Sequence, residues 1–117
     1  MGGPGKPGAS NPEQLFASGY SACFAGAIGF VANQQHKKLG DVQVTGNVTF
    51  GKADENSTYS ADGKTYPLPG FQLSVQLDVH LSGVDKAEAE KLVEQAHQVC
   101  PYSRAVRNNV EVKLTVV

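Results

Sequence analysis

Two cysteines are the residues whose type and placement best suggest chemistry in this chain. Cys23 lies in the segment Asn-Pro-Glu-Gln-Leu-Phe-Ala-Ser-Gly-Tyr-Ser-Ala-Cys-Phe (11–24), and Cys100 lies in Ala-His-Gln-Val-Cys-Pro-Tyr-Ser (96–103). Each falls on the apolar face of a predicted helix. Two buried thiols on separate helices can act as a reactive thiol and the partner that resolves its oxidised form.

Several alternatives to a redox pair stay open at this stage. Buried cysteines are commonly plain core residues. A free thiol has a pKa of about 8.5, so a reactive Cys23 needs a positive neighbour at neutral pH. Glu13, Arg104 and Arg107 are candidates for polar groups near the thiols. A Cys23–Cys100 disulfide in a reducing compartment would be transient, with a catalytic or sensing role.

A metal site is a weaker hypothesis. His97 and Cys100 are three residues apart and can share a helix face, with Cys23 as a third ligand and His36 or His80 as a fourth. The paired spacings typical of zinc sites, Cys-x-x-Cys and His-x-x-x-His, do not occur. We therefore expect no bound metal, and we expect His97 to make a hydrogen bond at the helix flank.

Serine chemistry and an apolar pocket are the remaining possibilities around the cysteines. Ser21 and Ser103 lie near them in sequence, but the Gly-x-Ser-x-Gly pattern of serine hydrolases is absent. Phe16, Tyr20 and Phe24 are first of all predicted core residues. The same three rings are candidates for the wall of a substrate pocket beside Cys23.

Length and composition favour a single domain, residues 1–117, without a nucleic-acid or membrane partner. The 117 residues include 10 Lys and Arg against 11 Asp and Glu, so there is no basic stripe for phosphates. The start lacks the pattern of a signal peptide, and we expect a cytoplasmic protein. Residues 15–32 are apolar enough that a membrane-spanning helix has to be considered, but the length of the segment and its small polar residues favour a buried core helix.

Periodicity predicts the order helix, two strands, helix, strand after a flexible Gly/Pro-rich lead-in at residues 1–10. The first helix, capped by Asn11, is predicted at 12–38, where its apolar residues cover most of its circumference. Strands are predicted at 42–50 and 71–81. Residues 51–70 between them are a binding loop, an extra hairpin or a mobile segment.

The second half of the chain carries equally local signals. Asp85 and Glu88 predict a helix start, and the residue preceding Pro101 is discouraged from helical geometry, so this helix is expected to end or bend at Cys100. Residues 110–116 alternate as a final strand.

The two cysteine segments, 11–24 and 96–103, closely resemble the cysteine motifs of the organic hydroperoxide resistance proteins, within the wider OsmC/Ohr superfamily. Residues 2–8, Gly-Gly-Pro-Gly-Lys-Pro-Gly, and the final strand from Asn109 resemble the same family. The resemblance implies an α+β fold with an antiparallel sheet packed on central helices, in an intertwined homodimer. It also implies a cytoplasmic, thiol-dependent peroxidase that needs no cofactor.

The same resemblance implies the roles of individual residues and partners. Cys23 would be the peroxidatic thiol, Cys100 the resolving thiol, and Glu13 the residue that orients an active-site arginine. The substrate would be an organic hydroperoxide, and the reductant a dithiol, a dihydrolipoyl group on a lipoylated protein. Ten residues separate Glu13 from Cys23, or about 15 Å along a straight helix, so Glu13 would reach Cys23 of the partner subunit or the helix would break.

The chain departs from the family at two places. Family members carry N-terminal strands before the glycine-rich segment, and those strands bring the arginine that contacts the reactive thiol. This chain begins at Met1, and Arg104 and Arg107 do not match that position. Residues 51–70 are also longer than the family pattern. A shortened member with weak or no catalysis, acting as a redox sensor or a scaffold for apolar ligands, is therefore the alternative function.

Overall fold

The computed structural model of the chain describes residues 11–53, 58–59, 64–65 and 70–117. The predicted lead-in at 1–10 lies outside these residues. The described residues form three helices and five strands, which follow one another as α1 (Pro12–Gln34), β1 (Val42–Lys52), β2 (Thr58–Tyr59), β3 (Lys64–Thr65), β4 (Phe71–Leu81), α2 (Lys86–Val99), α3 (Pro101–Val106) and β5 (Glu111–Val116).

The larger sheet has the strand order β1-β4-β5 and is mixed. β1 and β4 pair antiparallel, with Val44 opposite Val79, whereas β4 and β5 pair parallel, with Val75 opposite Val112. The predicted α+β class is confirmed, but the expectation of an antiparallel sheet is wrong for the β4–β5 pair. The connection between these two strands contains α2 and α3, and a helical crossover of this kind lets strands run parallel.

The helices cover one face of this sheet and enclose the core. The largest fully buried side chains come from both the helices and the sheet: Tyr20, Phe24 and Ile28 from α1, Leu77 and Val79 from β4, Leu92 from α2, Cys100 from the corner between α2 and α3, and Ser103 from α3. From Val75 to Leu81 every second residue of β4 is buried, as the alternating sequence predicts, whereas Phe71 at the start of the strand is 50% exposed. The candidate site therefore sits inside the helical layer.

The start of α1 follows the prediction and its end does not. Asn11 Oδ1 accepts a hydrogen bond from the Gln14 backbone at 2.8 Å, and Gln14 Oε1 accepts one from the Asn11 backbone at 3.1 Å. The helix ends at Gln34, four residues before the predicted Lys38. His36 takes a left-handed conformation, φ 55°, and the Lys37 N–H bonds back to the Ala32 carbonyl, which closes a Schellman motif.

Within this chain, α1 is buried on one side. Leu15 is 63% exposed and Phe30 is 55% exposed, whereas the opposite face carries Tyr20 and Phe24 into the core. In the described part of the chain, α1 is the one helix long and apolar enough to cross a membrane by length and composition. A core helix has the same properties, and the packing of α1 against β1 and α2 favours that interpretation.

The segment between β1 and β4 contains a short hairpin. β2 and β3 pair antiparallel, with Thr58 opposite Thr65. Among the three alternatives for residues 51–70, the extra hairpin fits these four residues. The rest of that segment, 54–57, 60–63 and 66–69, lies outside the described residues.

Gly46 of β1 lies where α1 crosses the sheet, and we expect Gly46→Ala to lower the free energy of unfolding by about 1–3 kcal/mol. A Cβ atom there would stand 2.5 Å from Ser21 Oγ and 3.0 Å from the Ala17 carbonyl oxygen, so the helix would have to shift. Urea unfolding measures the change. Gly51→Ala in the same strand is the matched control, because its Cβ would meet nothing within 4 Å. Equal stabilities of the two variants would contradict the close packing.

Candidate active site

The two cysteines meet although 77 residues separate them in sequence. Cys100 Sγ lies 3.7 Å from Cys23 Sγ, and both thiols are free. Cys100 is fully buried, whereas Cys23 is partly exposed. One thiol is thus accessible to a reagent and the other stands directly behind it, which is the arrangement of a reactive thiol and an internal partner.

Different structural elements bring each sulfur to this point. Cys23 lies in mid-α1, next to the core residue Phe24. Cys100 forms the corner between α2 and α3, where its extended backbone, φ −65° and ψ 124°, ends one helix and starts the next with Pro101. The predicted break at Cys100 is confirmed, and its cause is the steric effect of Pro101 on the preceding residue. The short helix α3 that follows was not predicted.

The electrostatic surroundings of Cys23 disfavour its thiolate. Burial raises the pKa of the Cys23 thiol, and the neighbouring Cys100 thiol raises it further, because two thiolates in contact would repel each other. The backbone N–H of Tyr102 at the start of α3 acts in the opposite sense and lowers this pKa. Within the described part of the chain, no cation is among these causes.

A chain of polar side chains runs beside the thiol pair. Tyr20 Oη lies 2.6 Å from Ser103 Oγ, and His97 Nδ1 lies 2.7 Å from the same oxygen. Arg107 donates to the His97 carbonyl oxygen at 2.7 Å. Burial lowers the pKa of His97, and Arg107 lowers it further, so the imidazole is held neutral at pH 7. The expected hydrogen bond of His97 is present, and it joins the imidazole Nδ1 to the hydroxyl of Ser103.

The predicted pocket rings form an aromatic cluster. The Phe16 and Tyr20 ring centroids lie 6.0 Å apart, and those of Tyr20 and Phe24 lie 6.4 Å apart. Tyr20 and Phe24 are fully buried, and Phe16 is partly exposed. Tyr102, which the sequence did not predict as a pocket residue, completes the cluster, and its ring centroid lies 5.8 Å from that of Tyr20. Its adjacency to Cys100 in sequence was the available signal.

Glu13 does not reach the thiols within one chain. α1 is continuous from Pro12 to Gln34, so Glu13 and Cys23 remain about 15 Å apart along its axis. Glu13 Oε2 is buried and has no hydrogen-bond partner among the described residues. Buried carboxylate oxygens are normally hydrogen-bonded, so we expect Glu13 Oε2 to accept a hydrogen bond from a group outside the described residues.

The other predicted candidates lie apart from the thiol pair. Ser21 faces β1 at Gly46. His80 Nδ1 lies 3.2 Å from the carbonyl oxygen of Val117. No group of three or more His, Cys, Asp and Glu side chains suited to a metal ion occurs in the described part of the chain.

Comparison with known proteins assigns the chain to a family. The family model described as OsmC-like protein matches residues 3–115, which include both cysteines. The chain belongs to the OsmC-like family. The resemblance inferred from the two cysteine segments is thereby confirmed.

Several relatives of this chain are named organic hydroperoxide resistance proteins. It is 45% identical over 118 residues to the organic hydroperoxide resistance protein of Xanthomonas axonopodis pv. citri, covering 99% of this chain and 72% of the relative. It resembles the crystal structure of OhrB from Bacillus subtilis with a TM-score of 0.76 and 43% identity, over 93% of this chain and 71% of the other. A Legionella pneumophila organic hydroperoxide resistance protein is 49% identical, with a TM-score of 0.76 over 93% of this chain and 70% of that one. The predicted OsmC/Ohr-like fold is confirmed by these structures.

We expect alkylation of Cys23 in this OsmC-like chain by iodoacetamide to accelerate about tenfold per pH unit between pH 7 and 8. Only the thiolate reacts, and a raised pKa leaves Cys23 mostly protonated at neutral pH, so its reactive fraction grows with each unit. Mass spectrometry of the peptide around Cys23 gives the rate. Glutathione is the reference thiol. A rate that is flat from pH 7 to 9 would mean a pKa below 7 and would contradict the expectation.

Proposed function

We propose that this protein is a thiol-dependent peroxidase that reduces organic hydroperoxides to alcohols. The observation that carries the proposal is the 3.7 Å contact between a partly exposed and a fully buried thiol. The names of the relatives from Xanthomonas and Bacillus support a role in detoxifying organic hydroperoxides.

The proposed first step consumes the hydroperoxide at Cys23. The thiolate attacks the distal oxygen of the O–O bond, which breaks, and the leaving alkoxide takes a proton to become the alcohol. Cys23 sulfur loses two electrons and becomes a sulfenic acid. Phe16 and Tyr102 are the members of the aromatic cluster that solvent reaches, and they support apolar alkyl or fatty-acyl hydroperoxides as substrates rather than hydrogen peroxide.

The proposed second step closes a disulfide. The Cys100 thiol loses its proton, its sulfur attacks the Cys23 sulfenic acid, and hydroxide leaves with that proton as water. An S–S bond of about 2.05 Å requires the sulfurs to approach by roughly 1.7 Å from their 3.7 Å separation. An external dithiol then returns the pair to the reduced state, and the family resemblance makes a dihydrolipoyl protein our choice of reductant. We place this cycle in the cytoplasm.

We also propose a homodimer in which Glu13 serves the partner subunit. The distance along α1 prevents Glu13 from acting on Cys23 of its own chain, and its buried Oε2 suits a cationic partner. The exposed apolar side chains Leu15 and Phe30 on α1 support burial against a second subunit. In this arrangement Glu13 would orient a cation that offsets part of the rise in pKa that burial imposes on Cys23.

A second candidate function is favoured by the raised pKa of Cys23. In this alternative the protein keeps the family scaffold with weak or no catalysis and acts as a slow redox sensor or binds apolar ligands. Disulfide formation would then occur only at the rate of an ordinary thiol. The difference between the two candidates is therefore the rate of the first step.

Single-turnover consumption of cumene hydroperoxide by the fully reduced protein tests the proposal. Free thiols are counted before and after the reaction. Consumption of one equivalent with loss of both thiols, much faster than glutathione reacts, is the expected result for the peroxidase. A rate equal to that of glutathione would reject it in favour of the second candidate.

A further inference from the structure

The hydroxyl of Ser103 joins three helices beside the thiol pair. It lies on α3 and contacts Tyr20 Oη of α1 at 2.6 Å and His97 Nδ1 of α2 at 2.7 Å. Ser103 and Tyr20 are both fully buried. A hydroxyl has one proton to donate and two acceptor positions, so Ser103 can satisfy both partners at once.

These contacts bear directly on Cys100. Cys100 is the corner between α2 and α3, three residues before Ser103, and the N-terminus of α3 has no side-chain cap. α3 is six residues long, so its own hydrogen bonds do little to fix its place. The position of Cys100 relative to Cys23 on α1 thus depends on what holds α3 against α1 and α2.

We propose that Tyr20, Ser103 and His97 are positioning residues that hold Cys100 Sγ against Cys23 and thereby set the rate at which the disulfide closes. Their biological role rests on the proposed peroxidase function, but closure of the disulfide requires no hydroperoxide. A thiol held in contact with its target reacts as an intramolecular nucleophile, and small losses of alignment slow such reactions strongly.

Ellman's reagent, an aryl disulfide, measures closure without peroxide. The more exposed Cys23 thiolate attacks the reagent, forms a mixed disulfide and releases one thionitrobenzoate. Cys100 then loses its proton to solvent, and its thiolate attacks the Cys23 sulfur. The Cys23–Cys100 bond forms, and the second thionitrobenzoate leaves with the electron pair of the broken bond. The rate constant of the second release, read from absorbance, is the rate of closure.

Ser103→Ala and Tyr20→Phe are expected to slow the second release roughly tenfold or more. Gln95→Met is the matched control, because it removes a hydrogen bond between α2 and the cap residue of α1, Gln35 Nε2 to Gln95 Oε1 at 2.7 Å, that does not involve α3. Its closure rate should stay within about twofold of the unmodified protein.

Two measurements separate positioning from general destabilisation and from acid–base effects. Ser103→Ala leaves the buried Tyr20 hydroxyl without its partner, so adding Tyr20→Phe should make the double variant more stable in urea unfolding than Ser103→Ala alone, while its closure stays slow. In pH profiles of the second release, the plateau rate at high pH should be lower for Ser103→Ala and Tyr20→Phe than for the unmodified protein.

Closure at the unmodified rate in folded variants would overturn the proposal. So would a pH profile whose midpoint shifts while its plateau rate stays unchanged. Fast closure in a protein that fails to consume cumene hydroperoxide would reject the peroxidase function and leave this inference standing.

Discussion

Replacing Cys23 with serine is expected to reduce single-turnover consumption of cumene hydroperoxide by roughly a thousandfold or more. Cys23 is the thiol that reaches the surface, and Cys100 behind it is fully buried. A serine hydroxyl is almost never ionised near neutral pH and does not form a sulfenic acid, so the first step loses its nucleophile. The remaining hydroperoxide is measured over time by a ferrous dye assay.

The matched control for this variant is the same exchange at the neighbouring thiol. Cys100→Ser changes sulfur to oxygen 3.7 Å away and leaves Cys23 in place, so its first step should survive. Circular dichroism and urea unfolding establish that both variants are folded. Full activity of Cys23→Ser would show that the chemistry occurs elsewhere and would reject the proposed mechanism.

The Cys100→Ser variant is expected to consume one equivalent of hydroperoxide per chain and then to depend on reductant concentration for every later turnover. Without Cys100, the Cys23 sulfenic acid waits for an external thiol, because a bimolecular reaction replaces an intramolecular one. Dimedone should label Cys23, and excess hydroperoxide should drive it to the sulfinic acid. Intact-mass spectrometry follows the sulfenic acid, its dimedone adduct and the sulfinic acid.

Cys100→Ala provides a second variant at the same position, since it places no hydroxyl in a fully buried site. Both variants should give the same kinetics if the role of Cys100 is chemical. Unchanged turnover in either variant, with the same dependence on reductant as in the unmodified protein and no dimedone-trapped sulfenic acid in excess of it, would show that Cys100 does not resolve the sulfenic acid. Such a result would leave Cys23 as the sole redox centre of the cycle.

Local sequence signals predicted most of the elements that hold the site. The Asn11–Gln14 capping box, the alternation along β4 and the effect of Pro101 on Cys100 all act within a few residues, and the structure contains each of them. The end of α1 was missed, because a left-handed His36 closes the helix where a glycine is the usual signal. Residue type alone gives little information on whether a non-glycine residue such as His36 will continue a helix or take the left-handed conformation that ends it.

The sequence by itself determined that one thiol lies within a long helix and the other at the end of a second helix, and that the chain resembles one family of thiol proteins. Only the tertiary structure decided that Cys23 and Cys100 touch, that Cys23 is the accessible one, and that Ser103 joins three helices beside them. Contacts across 77 or 83 residues depend on how helices pack against a sheet. Periodicity identifies which face of a helix is buried, but it carries no information on which buried side chain of another helix that face will meet.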